Sequence, residues 1–195
     1  MALFASKTST IVSEVSVTTI LSATQSEEKR KSLEAWKARM GAQRADRIRD
    51  LSAMRGTSMH TYLEGYIKNE RHLDLTALGV EAGRMADVVI RSGLGDLEEV
   101  WGTEVTLYYP GLYAGATDVV GIYNGRESII DFKQTNKPKQ REWIDDYFTQ
   151  LAAYAMAHNY VYNTQIQSGI ILMCSKDGFF QKFEVLDKEF QGYMH

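Results

Sequence analysis

The sequence predicts an α/β protein, with a mainly helical front half and a mixed α/β back half. Three observations carry this prediction. Apolar residues recur at helical spacing in the front half, as at Leu33, Trp36 and Met40. From Val100 onward, β-branched and aromatic runs are bracketed by turn signals at Pro110-Gly111, Asn124-Gly125 and Asp177-Gly178. A further helical stretch, about 140–158, divides these runs into two groups of strands.

The elements follow in order. Residues 16–21 read as a short extended piece. Ser26 is a fair N-cap for a helix over 27–40, and Gly41 ends it. Residues 42–54 read as a second helix, Gly56-Thr57 as punctuation, and a third helix carries Met59, His60, Leu63, Glu64 and Ile67. Residues 77–91 form a fourth, closed near Gly93-Leu94-Gly95. Strands are expected at 100–109, 112–123, 127–133, 165–173 and 178–185. The whole reads as one domain, 1–195, with a mainly helical region over about 1–98 and an α/β core over about 99–195.

Composition narrows the function classes. A hydrophobic fraction of 44% and a charged fraction of 24% are ordinary for a water-soluble domain. No apolar run approaches the ~18 residues needed to span a bilayer, so no membrane partner is expected. Positions 1–10 lack the basic start and long apolar stretch of a signal peptide. The single cysteine, Cys174, excludes an internal disulfide framework, a four-cysteine zinc site and an all-cysteine iron–sulfur cluster. A reducing cytoplasm fits. The net charge of −3 hides an asymmetry: positions 29–55 hold nine basic residues against three acidic ones. A second basic group, Lys133, Lys137, Lys139 and Arg141, follows the third strand. These clusters read either as a track for a polyanion or as solvated faces.

The strands around Asn124-Gly125 hold the main chemical signal. Asp118 interrupts a row of Ala114, Ala116, Val120 and Ile122, and Asp131 and Lys133 share a row with Ile129. A carboxylate on a core-facing row is costly unless it is paired or binds a metal. Two readings stay open at this point: a structural Asp–Lys ion pair, or a metal site whose ammonium orients a water. His60 and Glu64, four apart on a helix, are either further ligands or a surface pair. Glu104, mid-strand, is either a ligand or a solvent-facing residue. Gln150 and Tyr154 share a helical face and read as a brace for the lysine or as an amphipathic boundary. Trp143 and Trp36 are candidates for base stacking or for the core, with the core favoured for Trp36.

Taken in order, these motifs resemble the RecB-type branch of the PD-(D/E)XK nucleases, including its mitochondrial and phage-encoded exonucleases. The resemblance rests on Arg55-Gly56-Thr57-Ser58-Met59-His60 with Leu63-Glu64, then Thr117-Asp118, Asp131-Phe132-Lys133, and Gln150 through Tyr154. It extends to Leu33 through Met40, to Gln134-Thr135 with Lys137-Pro138, and to Ser175-Lys176-Asp177-Gly178, covering roughly residues 15–190. It implies a restriction-endonuclease-like core, a mixed central sheet flanked by helices, behind an N-terminal helical region. It implies Asp118 and Asp131 as carboxylates holding one or two Mg²⁺ or Mn²⁺ ions, His60 as a further ligand, and Lys133 as the residue serving water. Glu64 and Glu104 are additional ligand candidates, and Gln150 and Tyr154 support the site. Arg55, Lys137, Lys139, Arg141 and Trp143 are expected to face DNA.

The implied activity is a DNA exonuclease preferring single-stranded ends, without an iron–sulfur cluster or obligate protein partner, in a cytoplasm that is the host's if the chain is phage-encoded. A structure-selective or restriction-type endonuclease is the alternative. A non-catalytic nucleic-acid-binding module is a third reading, against which Asp118, Asp131 and Lys133 argue. The chain departs from the family pattern at Tyr193-Met194-His195, where relatives continue a C-terminal helix, and this leaves the packing of the last helix open.

Overall fold

A computed structural model describes residues 14–195; the reading of positions 1–10 lies outside them. The elements run β1 (Val15–Ser16), α1 (Val17–Ala23), α2 (Glu27–Met40), α3 (Ala42–Ile67), α4 (Ala77–Gly93), β2 (Leu97–Tyr109), β3 (Tyr113–Tyr123) and β4 (Arg126–Thr135). Then come α5 (Asp145–Tyr162), β5 (Ser168–Ser175), β6 (Phe180–Leu186) and α6 (Asp187–Tyr193). The sheet is mixed, in the order β1-β3-β4-β5-β6, with β2 also paired to β3. β4 and β5 are parallel, and α5 is the crossover that parallel neighbours require.

Alternation along the strands feeds two cores. Val120, Ile129, Ile171 and Met173 face α5 and α6, where Phe148, Leu151 and Phe190 cover them. Their neighbours Val119, Ile130, Phe132 and Leu172 face the other way, against Met59 and Leu63 of α3 and Met85 and Val89 of α4. Strand β5 is buried at every position, as a strand covered on both faces must be. The central sheet flanked by helices is therefore the predicted class, and its strand order sets the functional end.

Several expected boundaries move, each for a local reason. The extended piece expected at 16–21 is instead helix α1: Ser16 Oγ accepts from the Thr19 N–H at 3.1 Å and caps it, and Val17 is buried. That cap and burial outweigh the weak strand preference of Val-Thr-Thr-Ile. Gly56-Thr57 does not punctuate, since α3 is one continuous helix of 26 residues. Gly56 is the point of close approach to β4, where an added Cβ would sit 3.3 Å from Gln134 Cγ. Thr57 turns its hydroxyl back onto the Ala53 carbonyl at 3.2 Å, which keeps it inside the helix. Gly41, at φ +81°, makes the real break between α2 and α3. Helix α5 starts at Asp145 rather than near 140, after a single 3-10 turn at Arg141–Trp143. At the C-terminus α6 packs firmly through fully buried Phe190, so the last helix closes the α5 core.

Candidate active site

The site lies where two strands part. The β3–β4 ladder runs from Tyr123 opposite Arg126 to Val119 opposite Ile130 and goes no further. Beyond that point β3 stays paired to β2, and β4 to β5 as far as Thr135 opposite Ser175. Each strand is held by its outer neighbour while the inner edges separate. An inner-edge N–H exposed in this way needs a partner. Phe132 N–H finds one in Asp118 Oδ2, at 2.6 Å. A backbone group thus pins the Asp118 carboxylate at the mouth of the gap.

Three other elements reach the same opening. His60, on α3 beside the buried Met59 and Leu63, places Nδ1 3.0 Å from Asp118 Oδ1. Glu104 on β2 adopts φ +48° between the paired positions Thr103–Val119 and Val105–Thr117. Such a conformation costs roughly 1–3 kcal/mol for a residue with a side chain and is concentrated at functional sites. His60, Glu104 and Asp118 can each offer a ligand atom within 4.8 Å of the others. From β4, buried Asp131 forms an ion pair with Lys133. Lys133 Nζ donates to Gln150 Oε1 at 3.2 Å, and Gln150 Nε2 donates to the Tyr154 hydroxyl at 3.0 Å. The Lys133 ammonium also lies over the Tyr147 ring, 5.0 Å from its centroid.

The electrostatics separate the two aspartates. Burial pushes the Asp118 carboxyl up, but the hydrogen bond and charge of His60, with Lys133 and the Phe132 N–H, outweigh it and leave the pKa lowered. For Asp131 burial wins over the Lys133 charge, and the neighbouring Asp118 adds to it, so the pKa is raised. Glu104 is raised by burial and by the charges of Asp118 and Glu64. His60 is raised despite its burial, because Asp118 favours the imidazolium. Lys133 is likewise raised above its ordinary value, burial being outweighed by Asp131. The pocket therefore concentrates carboxylates that repel one another and draws in any available cation.

That balance tests whether a divalent ion fits. Three of the groups at the gap, His60, Glu104 and Asp118, bring ligand atoms within 4.8 Å of one another, and Asp131, paired through Oδ2 with Lys133, adds a further buried carboxylate beside them. The donors at the gap are carboxylate oxygens and one imidazole nitrogen, the set that suits Mg²⁺ or Mn²⁺ rather than a soft metal. The residues fit.

Not every expected site residue arrives. Glu64 faces the site but is tied to Lys68 at 2.5 Å, and its charge reaches Glu104. Arg55, expected to face DNA, is 4% exposed. It bonds Glu81 at 3.1 Å and reaches Gln134 and Asn136 just beyond Lys133, clamping α3 to β4 instead. Arg141 is engaged by Glu189 at 2.7 Å and lies over the Phe148 ring. Lys137 is exposed and Lys139 is partly so. Trp143 is exposed, whereas Trp36 is only half-buried on α2, a helix with no buried residue, and is no core anchor. Two contributors escaped the sequence: the Phe132 N–H, a backbone group, and Tyr147. The signal for Tyr147 was its place three residues before Gln150 on one helix face.

A cleft leads away from Lys133 between α1–α2 and α5. Its inner part, about 280 Å³, is lined by Gln25, Lys133, Tyr147 and Gln150. Its outer part, about 860 Å³, is lined by Ser26, Lys29, Trp143 and Thr149, and the two share Leu21, Gln25 and Asp146.

Similarity to known proteins runs through most of the chain. The chain is 30% identical over 172 residues to mitochondrial genome maintenance exonuclease 1 of Mus musculus, covering 84% of this chain and 50% of that protein. Its counterpart from Xenopus tropicalis is 32% identical over 173 residues, with 84% and 49% covered. The Homo sapiens protein is 30% identical over 174 residues, again with 84% and 49% covered. The chain is related to the RecB-like nucleases. It spans about half the length of the curated relatives it matches. No profile of a known protein family matches it. A crystal structure from Eubacterium rectale, described provisionally as an exonuclease, shares the fold. Its TM-score is 0.52 at 14% identity, with 74% of this chain and 62% of that one covered. No helix among the described residues is long and apolar enough to cross a membrane.

Proposed function

We propose that the chain is a metal-dependent DNA exonuclease that prefers single-stranded ends, acting in replication, recombination or degradation of phage or host DNA in the cytoplasm. One observation carries this reading: the parted β3–β4 edge gathers Asp118, Asp131 and Lys133 with His60 and Glu104. A pair of strands serving only the core would close that gap with backbone hydrogen bonds. The exonuclease names of the relatives support the choice among phosphodiester chemistries.

Asp118, Asp131 and His60, with Glu104, would hold one or two Mg²⁺ or Mn²⁺ ions, which supply charge stabilisation of the attacked phosphate and of the departing 3′-oxygen. Lys133, held by Gln150 and Asp131, directs an N–H at the attacking water and offsets the charge developing on phosphate. Gln150 and Tyr154 keep the lysine on that line, and Tyr147 shields it from bulk water. Lys137 and Lys139, which follow Lys133 in the chain and are at least partly exposed, are offered for phosphate contacts, and Trp143 offers a stacking face in the cleft.

The test is a time course on 5′- and 3′-labelled linear oligonucleotides, single- and double-stranded, beside a circular single strand, with Mg²⁺, Mn²⁺ or EDTA. Shortening of linear single strands, sparing of the circle and silence in EDTA are expected. Cutting of the circle would transfer the assignment to an endonuclease on the same fold.

A further inference from the structure

The far end of α5 holds a cavity that the site above does not use. It measures about 420 Å³ and lies between β2 and α5, walled by Trp101 and Tyr162 and floored by Val105 and Val120. From Gln150 to His158 is eight residues of helix, about 12 Å. The volume is within the range of small-ligand pockets. His158 lines the cavity and is 6% exposed. Its ring sits near-parallel to Trp101, at 24° with centroids 6.2 Å apart, and 4.6 Å from Tyr162.

The hydrogen-bond network around His158 settles its tautomer. Asn159 Oδ1 accepts from Ile166 N–H at 2.8 Å, while Asn159 Nδ2 donates to the Ile166 carbonyl, so the amide orientation is set. Thr164 donates its only hydroxyl proton to Asn159 Oδ1 at 2.8 Å. His158 Nδ1, 2.8 Å from the same hydroxyl, must then carry the proton and donate. Nε2 is left as a bare acceptor with no hydrogen-bond partner among the described residues. Burial also lowers the His158 pKa, against the pull of Glu127, which favours the neutral ring.

A neutral acceptor between aromatic walls calls for a flat ligand with an N–H at its edge. No lysine or arginine lines the cavity, so it does not recognise phosphate. We propose that this cavity binds a nucleobase, whose ring packs on Trp101 and Tyr162 and whose N–H donates to His158 Nε2. The choice of a nucleobase over another N–H heterocycle rests on the DNA reading above. Amino donors on adenine, cytosine and guanine all satisfy the acceptor, so the site tolerates sequence. The base comes either from the bound strand or from a released mononucleotide, and the chemistry is the same for both.

Histidine ¹⁵N NMR tests this directly, in EDTA so that cleavage plays no part. The probes are dAMP, dCMP and a phosphorothioate single-stranded oligonucleotide. An upfield shift of His158 Nε2 is expected, with little change at His72. A shift with the oligonucleotide identifies a strand base as occupant; a shift with the mononucleotides alone identifies released product. Trp101→Ala should weaken the binding about tenfold or more, the scale of one stacked base. His158→Phe should keep the fold, seen in the remaining histidine signals, and lose base binding. No His158 shift with any probe at millimolar concentration overturns the site, as does a shift that Trp101→Ala leaves unchanged. Because no step involves cleavage, a failed shift in an active nuclease removes only this inference. A shift in a protein without nuclease activity would remove only the exonuclease reading.

Discussion

The β3–β4 hairpin has two halves built from the same two strands. In the closed half, Val119–Tyr123 pairs with Arg126–Ile130, and the side chains between them feed both cores. In the open half, Asp118 and Asp131 face a gap and a carboxylate replaces the missing ladder partner of Phe132. The closed half gains from burial and from paired backbone. The open half gathers unfavourable charge, Asp131 raised and Glu104 held at positive φ, and depends on cations to offset it. Stability and chemistry are thus set on adjacent residues of one strand pair, with Val119 and Ile130 as the divide.

Substitutions on either side sharpen or break that division. Lys133→Ala should lower cleavage by about 10²–10⁴-fold, the range for a positioned proton-handling group, while metal-dependent DNA binding persists. Undiminished cleavage would break the assignment of the open half. Arg55→Ala removes the clamp joining α3 to the segment just past Lys133 and leaves Glu81 without its buried partner. Because Glu81 is partly exposed and keeps Lys176 at 3.6 Å, a loss of about 1–3 kcal/mol in urea unfolding is expected.

Smaller effects test the same divide. At about a hundredfold excess of Mg²⁺ over its Kd, the wild type should gain about 2.7 kcal/mol in stability, and Asp118→Asn should gain little. An equal gain in both would show that the ion binds elsewhere. Ile130→Val, in the closed half, should cost about 0.5–1.5 kcal/mol and leave the rate per folded molecule unchanged. A rate that fell with it would show that the halves are coupled.

Much of the fold was legible because its signals are local. Ser26 and Gly41 bound α2 as read, and Asn124-Gly125 forms the turn with both residues at positive φ. Gly56 misled because its reason is tertiary: it admits Gln134 of β4, a neighbour 78 positions away in the chain. Arg55 misled in the same way. A basic residue beside a motif reads as a phosphate contact until Glu81 and Asn136 are seen around it. Tyr147 was missed because its place three residues before Gln150 marks a shared helix face but not whether an ammonium or a core lies against it.

The order and spacing of residues by themselves determined most of the helices and strands, the shared row of Asp131 and Lys133, and the resemblance to RecB-type nucleases. The elements and the shared row follow from periodicity and short-range turn chemistry, which need no partner segment; the resemblance rests on the order of the motifs. Only the tertiary structure decided that β3 and β4 part at Asp118, that His60 and Glu104 meet it there, and that Arg55 turns inward. Those outcomes depend on which outer neighbour holds each strand and on which charges burial leaves unpaired. Both are properties of packing between segments far apart in the chain.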